Sequence, residues 1–401
     1  MLSRRNFLKT GSLAGLAASV PGWMTNEAQA DAAAPVSADE LAKIPRAAGR
    51  GVMPVKPKFP NIGEFTTLLG DFHQHTVFSD GDLRPTARVV EAKKEGLDVI
   101  CLSDHIEVRP FKNEISHLEL RRGFELAGPR AQAENIILVP GLEITRSEPY
   151  AKHLNALFLT DFEALIQEKL MDSVRAAAKQ DAFIFWNHPA WGQKELKSTW
   201  YPEMDVLLRE GILKGFEVVN GFEGDARDYQ PDVMEWCQRY NVTMFGNSDC
   251  HTATAYMTNW SLGEHRPMTL LFVKERSLAG VREALLAGRT AVYYYLPGVR
   301  DLLIGNEKWL RPIFGKAFSF KMQDEGVRKG TATVVCKNDL PFILDLKAAG
   351  NGVKLPETLR IPPGSTRLQV ELDGSIPSVT FEVLNFDIAK GRKLNCQIAL
   401  K

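Results

Sequence analysis

Cysteine is scarce in this 401-residue chain: Cys101, Cys237, Cys250, Cys336 and Cys396 are all there is. An odd number at irregular spacing excludes a disulfide framework, even in an oxidising compartment. Excess charge is also missing. Lysine plus arginine and aspartate plus glutamate number 49 each, so no electrostatic drive toward non-specific nucleic-acid binding exists. No basic tract interleaved with aromatics is present either, which argues against a nuclease. Beyond the first residues no apolar run reaches the 18 or so residues of a membrane span. Internal repeats are absent. Histidine is rare too, with eight residues, and where those eight fall organises everything below.

The N-terminus is the one region with a biased composition. "SRRNFLK" (Ser3 to Lys9) precedes the mildly apolar "GSLAGLAASV", and Ala28–Gln29–Ala30 supplies a small-x-small cleavage site. The twin arginine, Arg4 and Arg5, resembles a bacterial Tat export signal. Export through the Tat machinery places the mature chain in the periplasm or outside the cell. Tat cargo folds before export, which suits a core that does without disulfides. Removing residues 1–30 leaves 46 basic and 48 acidic residues. Residues 31–65 read as an Ala- and Pro-rich lead-in.

From residue 66 short β-branched runs alternate with helical segments. "TTLLGDF", "LDVICLS", "IILVPGLEI", "LNALFL", "AFIFWN", "GFEVVN" and "TMFGNS" read as seven strands. "PTARVVEAKKEG", "FEALIQEKLMDSVRAAAKQ", "PDVMEWCQRYN" and "SLAGVREALLAGRT" carry helical periodicity. Near-continuous apolar strands separated by helices predict a parallel α/β sheet, closed or nearly closed into a barrel over residues 66–300. After "AVYYYLPGVRDLLIG" the pattern turns to short alternating stretches: "FSFKM", "TATVVCK", "TRLQVEL" and "VTFEVLNF". Residues 301–401 are therefore expected to form a small all-β, sandwich-like domain.

The rare ligand-type residues fall at strand ends. His73 and His75 close the first strand, and Asp80 follows. Asp104 and His105 end the second, Glu143 the third, His188 the fifth, Asp249 and His251 the seventh. His153 is the exception, because it opens its strand; His117 and His265 stand apart on a helix and in a loop. In a βα barrel the strand C-termini converge on the face where active sites are built. Residues i and i+2 of a strand point the same way, so His73 and His75, or Asp249 and His251, can reach one ion. One H-x-H alone is weak evidence. Asp104 apart, nine candidates together exceed the needs of one ion and suit two or three divalent ions sharing a carboxylate. Mixed imidazole and carboxylate favours Mn²⁺, Fe²⁺ or Zn²⁺ over Ca²⁺ or Mg²⁺.

"DFHQHTVFSDG", "LSDHIE", "PGLEIT", "HLNAL", "NHP" and "GNSDCH", in this order, resemble the motifs of the PHP (polymerase and histidinol phosphatase) superfamily of metal-dependent phosphoesterases. The resemblance spans about residues 66–295. It implies a distorted seven-stranded (β/α) barrel with a two- or three-metal site. His73, His75 and Asp249 then hold one ion, with Glu143 bridging to a second held by His153 and His188. Asp80, His105 and His251 hold the third; family members often carry His at the Asp80 position. The leader, the wording of the motifs and the extra β domain resemble the exported Sb-PDE-type phosphodiesterases.

Clustered cations drive the pKa of a bridging water toward neutrality, and the resulting hydroxide attacks phosphorus in line with the leaving oxygen. Asp249 is placed to ligate and to accept a proton, and Glu143 to bridge. Arg146, Lys152 and, more weakly, Arg84 are the candidate cations for the phosphoryl group; a solvated surface charge is the competing reading for each. Trp186 and Trp191 flank the "NHP" turn, where walling a substituent and packing a core are equal readings. Glu217, Asn220 and Asn247 stand where they can orient ligands, and Asn187 is a candidate both for that and for touching substrate. Hydrolysis of a small phosphodiester is the leading expectation. A phosphomonoesterase shares every ligand, and a non-catalytic glycan- or partner-binding module is the rival from another class.

Overall fold

The computed structural model describes residues 56–115, 119–146, 152–191, 198–222, 228–323, 329–374 and 377–400. Residues 1–30, expected to be an export leader, most of the lead-in and His117 lie outside the described residues. All seven expected strands are present, in an arrangement that departs from a purely parallel sheet. β1 (Thr66–Asp71), β2 (Val99–Cys101) and β3 (Ile137–Val139) pair in parallel. Helices α1 (Pro85–Lys94) and α2 (Arg122–Ala133) make the two crossovers. In α1, Pro85 at the first turn and Lys93 and Lys94 in the last suit the ends of a helix.

The run "IILVPGLEI" then splits. Pro140 cannot donate to a ladder, and beyond it β4 (Gly141–Arg146) starts a second sheet. Gly141 permits the jump, since a Cβ there would lie 2.6 Å from Cys101 Sγ and 2.8 Å from the Ala156 carbonyl oxygen.

β5 (Lys152–Leu157) runs antiparallel to both β4 and β6 (Phe183–Trp186), which corrects the all-parallel expectation. Only five residues separate Arg146 from Lys152, whereas a parallel crossover needs about a dozen. The chain has to turn straight back. β6, β7 (Leu213–Asn220) and β8 (Thr243–Asn247) resume the parallel order, with α3 (Leu170–Ala178), α4 (Pro202–Arg209) and α5 (Pro231–Tyr240) outside them. The two sheets meet at their rims through single bridges, Gln74 to Cys250 and His105 to Glu143. These bridges close the distorted barrel where the ligands are.

Two strands not anticipated complete the first sheet. β9 (Met268–Val273) lies antiparallel on β1, and after α6 (Leu278–Leu286) β10 (Thr290–Leu296) lies antiparallel on β9. β11 (Arg300–Gly305) joins β10 on one side and β18 (Ser378–Ala389) of the C-terminal region on the other. One ten-stranded sheet therefore runs from barrel to C-terminal domain through the position expected as the domain boundary. The C-terminal part packs β14 (Leu344–Asn351), β16 (Thr358–Ile361), β18 and β19 (Arg392–Ala399) against a second sheet of β12 (Phe318–Met322), β13 (Lys329–Asn338), β17 (Gly364–Asp373) and β15 (Val353–Lys354), in that order. Phe381 meets Phe318 and Phe320 edge-on between the layers, at 5.6 Å and 5.2 Å. The all-β expectation for this region missed α7 (Glu307–Ala317), whose Pro312 and Gly315 mimic a turn signal. Its Leu310, Ile313, Phe314 and Ala317 are buried.

Candidate metal centre

The reversal of β5 resolves the anomaly of His153. A residue that opens an antiparallel strand lies at the same rim as residues closing its parallel neighbours, and His153 pairs with Thr145 near the end of β4. All nine candidate ligands converge there. Four groups have ligand atoms within 4.8 Å of one another: His75, Asp80, His105 and His251; His73, His75 and Asp249; His73, Glu143 and His188; His105, Glu143 and His153. Each group shares a residue with the next, through His75, His73, Glu143 and His105 in turn. The result is a closed ring of overlapping sites.

Glu143 is the hub. Its Oε2 lies 3.1 Å from His73 Nε2, 3.3 Å from His75 Nε2 and 3.0 Å from His105 Nδ1, and its Oε1 lies 2.8 Å from His153 Nδ1. Asp249 Oδ1 lies 3.0 Å from His75 Nε2 and 3.3 Å from His73 Nε2. Asp80 Oδ1 faces His251 Nε2 at 3.1 Å and His105 Nε2 at 3.5 Å. Burial alone would push the Glu143 carboxyl up, but the rings of His105, His73 and His153 hold it well below the usual range. Asp249 behaves alike, through His73, His251 and His75. Burial likewise opposes charge on His75, yet the Asp249 and Glu143 carboxylates raise its pKa to about 9. Burial wins at His105, whose pKa falls well below 6.5.

The side chains fit a metal cluster on their own geometry. His75 Nε2 and Asp249 Oδ1 are buried and face only members of the ring, 3.0 Å from each other, and the buried His188 Nε2 makes no hydrogen bond among the described residues. A buried polar atom left so costs about 1–3 kcal/mol, a cost that coordination removes. Two ligands are held in strained backbone: His188 has φ +29° and Asp249 φ +48°. Glu217 Oε2 accepts the His188 amide at 2.8 Å, and the Asp249 amide donates to the His73 carbonyl at 2.8 Å. Gly81 crosses so close to His75 that a Cβ would lie 2.6 Å from its carbonyl carbon.

Glu217 is the main orienting group. Its Oε1 takes His73 Nδ1 at 2.9 Å and Asn247 Nδ2 at 2.9 Å, while its Oε2 takes Asn220 Nδ2 at 2.9 Å. A ring nitrogen held from behind in this way fixes its tautomer toward the metal. Asn187, a candidate substrate contact, spends its amide on Glu143 Oε1 at 3.0 Å and Asn155 Oδ1 at 2.9 Å, so it orients the hub. Thr145 Oγ1, 2.6 Å from His105 Nδ1, and Asn155 were not anticipated, although both lie in register within the ligand-bearing hairpin.

Arg146 and Lys152, the expected substrate cations, are engaged outside the ring. Side chains alternate along a strand, and Glu143, Thr145 and His153 occupy the inner face. Arg146 pairs with Glu107 and donates to Ser173 Oγ on α3 at 3.2 Å; Lys152 reaches Glu203 on α4 at 2.5 Å. Both partners on helices belong to the outer layer. Trp186 is fully buried in an aromatic cluster with Trp200, Tyr201, Phe216 and Trp236, so core packing is its role. Trp191 borders the ring, 5.1 Å from His153 and 5.5 Å from His188. His265 stacks on Tyr293 at 4.0 Å, away from the ligands. Arg84 is exposed and lines a shallow groove with Asp82, Thr86 and Arg130.

No family model matches the chain. A crystal structure from Bacteroides vulgatus, of a two-domain protein containing a predicted PHP-like metal-dependent phosphoesterase, superimposes with a TM-score of 0.79 at 38% identity. The match covers 86% of this chain and 99% of that one. An uncharacterized protein of Methanocaldococcus jannaschii is 27% identical over 170 residues, 40% of this chain and 75% of its own.

Proposed function

The chain belongs to the PHP-like metal-dependent phosphoesterases, and within them we propose that it is an exported phosphodiesterase acting on small substrates. The ring of four overlapping ligand groups carries this reading, because shared ligands draw two or three ions close enough to act on one phosphoryl group. When bound, such ions, Mn²⁺, Fe²⁺ or Zn²⁺, supply the acidification of a water to hydroxide and the neutralisation of phosphoryl charge. Asp249 is the proton acceptor. Its Oδ1 is buried at the centre of the ring, and Asn220 Nδ2 lies 3.4 Å from Oδ2. Glu143 joins the ligand groups, while Glu217, Asn187 and Thr145 keep the ligand atoms turned inward.

The choice of diester over monoester rests on charge. A monoester dianion carries one more negative charge than a diester, and the two cations first expected to meet it face outward onto Glu107 and Glu203. Trp191 at the rim suits an ester substituent better than a bare phosphate oxygen. The twin-arginine leader supports export to the periplasm; among the described residues no helix is long and apolar enough to cross a membrane. Folding before export favours Mn²⁺ or Fe²⁺ over the Zn²⁺ and Cu²⁺ that win on affinity outside. Protein recovered from the periplasm with zinc alone and full activity would sink that preference.

Metal-free enzyme reloaded with each ion should hydrolyse bis(p-nitrophenyl) phosphate faster than p-nitrophenyl phosphate. Turnover of the monoester alone would assign the chain to the phosphomonoesterases. Turnover of neither, with metal bound, would leave the binding-module reading.

A further inference from the structure

Arg266 and Arg88 are fully buried, touch no ligand side chain and lie directly behind the metal ring. Arg266 spreads its guanidinium over five acceptors. Nη1 meets Asp71 Oδ2 at 3.0 Å and Gln74 Oε1 at 3.2 Å; Nε and Nη2 grip both Glu95 oxygens at 2.9 Å and 3.0 Å; Nη2 also reaches Glu91 Oε2 at 3.0 Å. Asp71 passes the contact on: Oδ1 accepts the His73 amide at 3.3 Å and the Ser248 amide at 3.2 Å, and Oδ2 accepts the Ser248 hydroxyl at 2.6 Å. Arg88 completes the clamp. Its Nη2 donates to the carbonyls of His75 at 3.1 Å and Cys250 at 3.0 Å, and its Nη1 to Glu91 at 2.6 Å.

Every one of these bonds to the ligand-bearing chain ends on residues 71–75 or 248–252. Those segments carry His73 and His75 on one side, Asp249 and His251 on the other. The opposite pole of the ring, Glu143 and His153, has a different frame made of neutral groups: Asn187 on Glu143, Asn155 on Asn187, and the Asn155 amide on the Phe72 carbonyl at 3.0 Å. One ring of ligands thus stands on two supports, one charged and one of neutral amides, which meet only where Asn155 reaches the Phe72 carbonyl of the 71–75 segment.

We propose that Arg266 is a positioning residue that sets the separation of the His73–His75 and Asp249–His251 segments. Through that separation it controls metal affinity at the ligand groups they form, leaving the Glu143–His153 group to the amide frame. The proposal rests on the reading of the ring as a multinuclear metal site. It also explains why two arginines are buried here at all: with three carboxylates around them their charge is locally balanced, and planar guanidinium forks hold several acceptors in fixed geometry.

The test measures metal content of the purified full-length chain equilibrated against graded free Mn²⁺, with far-UV circular dichroism and melting of the metal-free form as folding controls. Arg266→Met should lose one class of ions by about 10–100-fold in affinity and keep the other. Asn155→Ala should do the converse, and Arg266→Lys should recover part of the loss. Ser248→Ala removes the hydroxyl bond to Asp71 and leaves the Ser248 amide bond in place, so it reads a partial loosening of the same pole where Arg266→Met does not fold. Unchanged affinity in Arg266→Met and Ser248→Ala, or equal weakening of both classes, overturns the positioning role. A wild-type chain that binds no Mn²⁺ overturns the metal reading itself, and the two failures are distinct.

Discussion

The barrel rim and the C-terminal sandwich both bury polar side chains, but in opposite states. In the sandwich Asn338 is fully buried and saturated: its amide reaches the carbonyls of Phe342 and Ile361 at 2.8 Å and 2.9 Å, and its oxygen takes the Leu340 amide at 3.0 Å. At the rim His75 Nε2 and Asp249 Oδ1 are buried and meet only fellow members of the ring, 3.0 Å from each other, and His188 Nε2 lies 3.8 Å from its nearest carboxylate oxygens with no hydrogen bond among the described residues. Both states cost desolvation, and only the first repays it within the fold. A saturated buried polar group serves architecture; several unsaturated ones aimed at a common centre serve chemistry. Stability and activity should therefore separate between the two regions.

The sharpest way to break that separation is Glu143→Ala. Loss of the hub should remove several kcal/mol of transition-state stabilisation, about 10³-fold or more in kcat/KM at roughly 1.4 kcal/mol per tenfold. The melting temperature in chelator should also fall, because Glu143 is the counter-charge of the buried His73, His105 and His153, but activity should be lost even in the molecules that remain folded. A variant that loses activity only by unfolding would make Glu143 structural. Phe381→Ala is the mirror experiment. Truncating a ring packed between Phe318 and Phe320 should cost about 3–5 kcal/mol of stability while specific activity per folded molecule stays unchanged, as measured by denaturant unfolding alongside assay. Equal loss of both would mean the sandwich shapes the site.

The pH response is the next largest difference. In the metal-free protein the folded pKa of His75 is raised from 6.5 to about 9. Its contribution to stability is fully present below pH 6.5 and is lost as pH rises toward 9. Glu143 and Asp249 are shifted downward, so they contribute above the ordinary carboxylate range and lose that contribution on acidification. The metal-free melting temperature should therefore peak near pH 5–6.5 and fall through pH 9. Metal binding needs His75 without its proton, so the gain in melting temperature on adding Mn²⁺ should grow over the same window, up to about tenfold in affinity per pH unit per proton released. A metal-free protein that becomes more stable from pH 6.5 to 9 contradicts the electrostatics of the ring.

The convergence of the candidate ligands was legible in the sequence because they are rare residue types repeated at one structural position, the strand end. His153 broke the pattern for a readable reason: five residues after Arg146 cannot cross over, so its strand had to be reversed. Strands β9 and β10 went unread because no histidine or aspartate closes them. Arg266 and Arg88 were hidden by the habit of placing charge at the surface. A signal did exist, since Arg88, Glu91 and Glu95 recur at three- and four-residue intervals beside the buried Val89 and Ala92 of α1. A buried helix face interrupted by charges at that spacing implies a partner such as Arg266.

The smallest expected effects concern Arg146 and Lys152, and they test strand parity itself. Counting from Glu143, whose side chain faces inward, Thr145 shares its face and Arg146 does not; across the hairpin Arg146 pairs with Lys152 as Thr145 pairs with His153. The alternation that joined His73 to His75 thus also turns both cations outward, a step as available from the sequence as the first. Arg146→Ala and Lys152→Ala should each leave kcat/KM for bis(p-nitrophenyl) phosphate within about threefold of wild type. The cost of Arg146→Ala should appear as about 0–1 kcal/mol of stability, and that of replacing the buried Lys152 should be larger. A hundredfold rise in KM at unchanged melting temperature would return either residue to the substrate, and would require the β4–β5 hairpin to move when substrate binds.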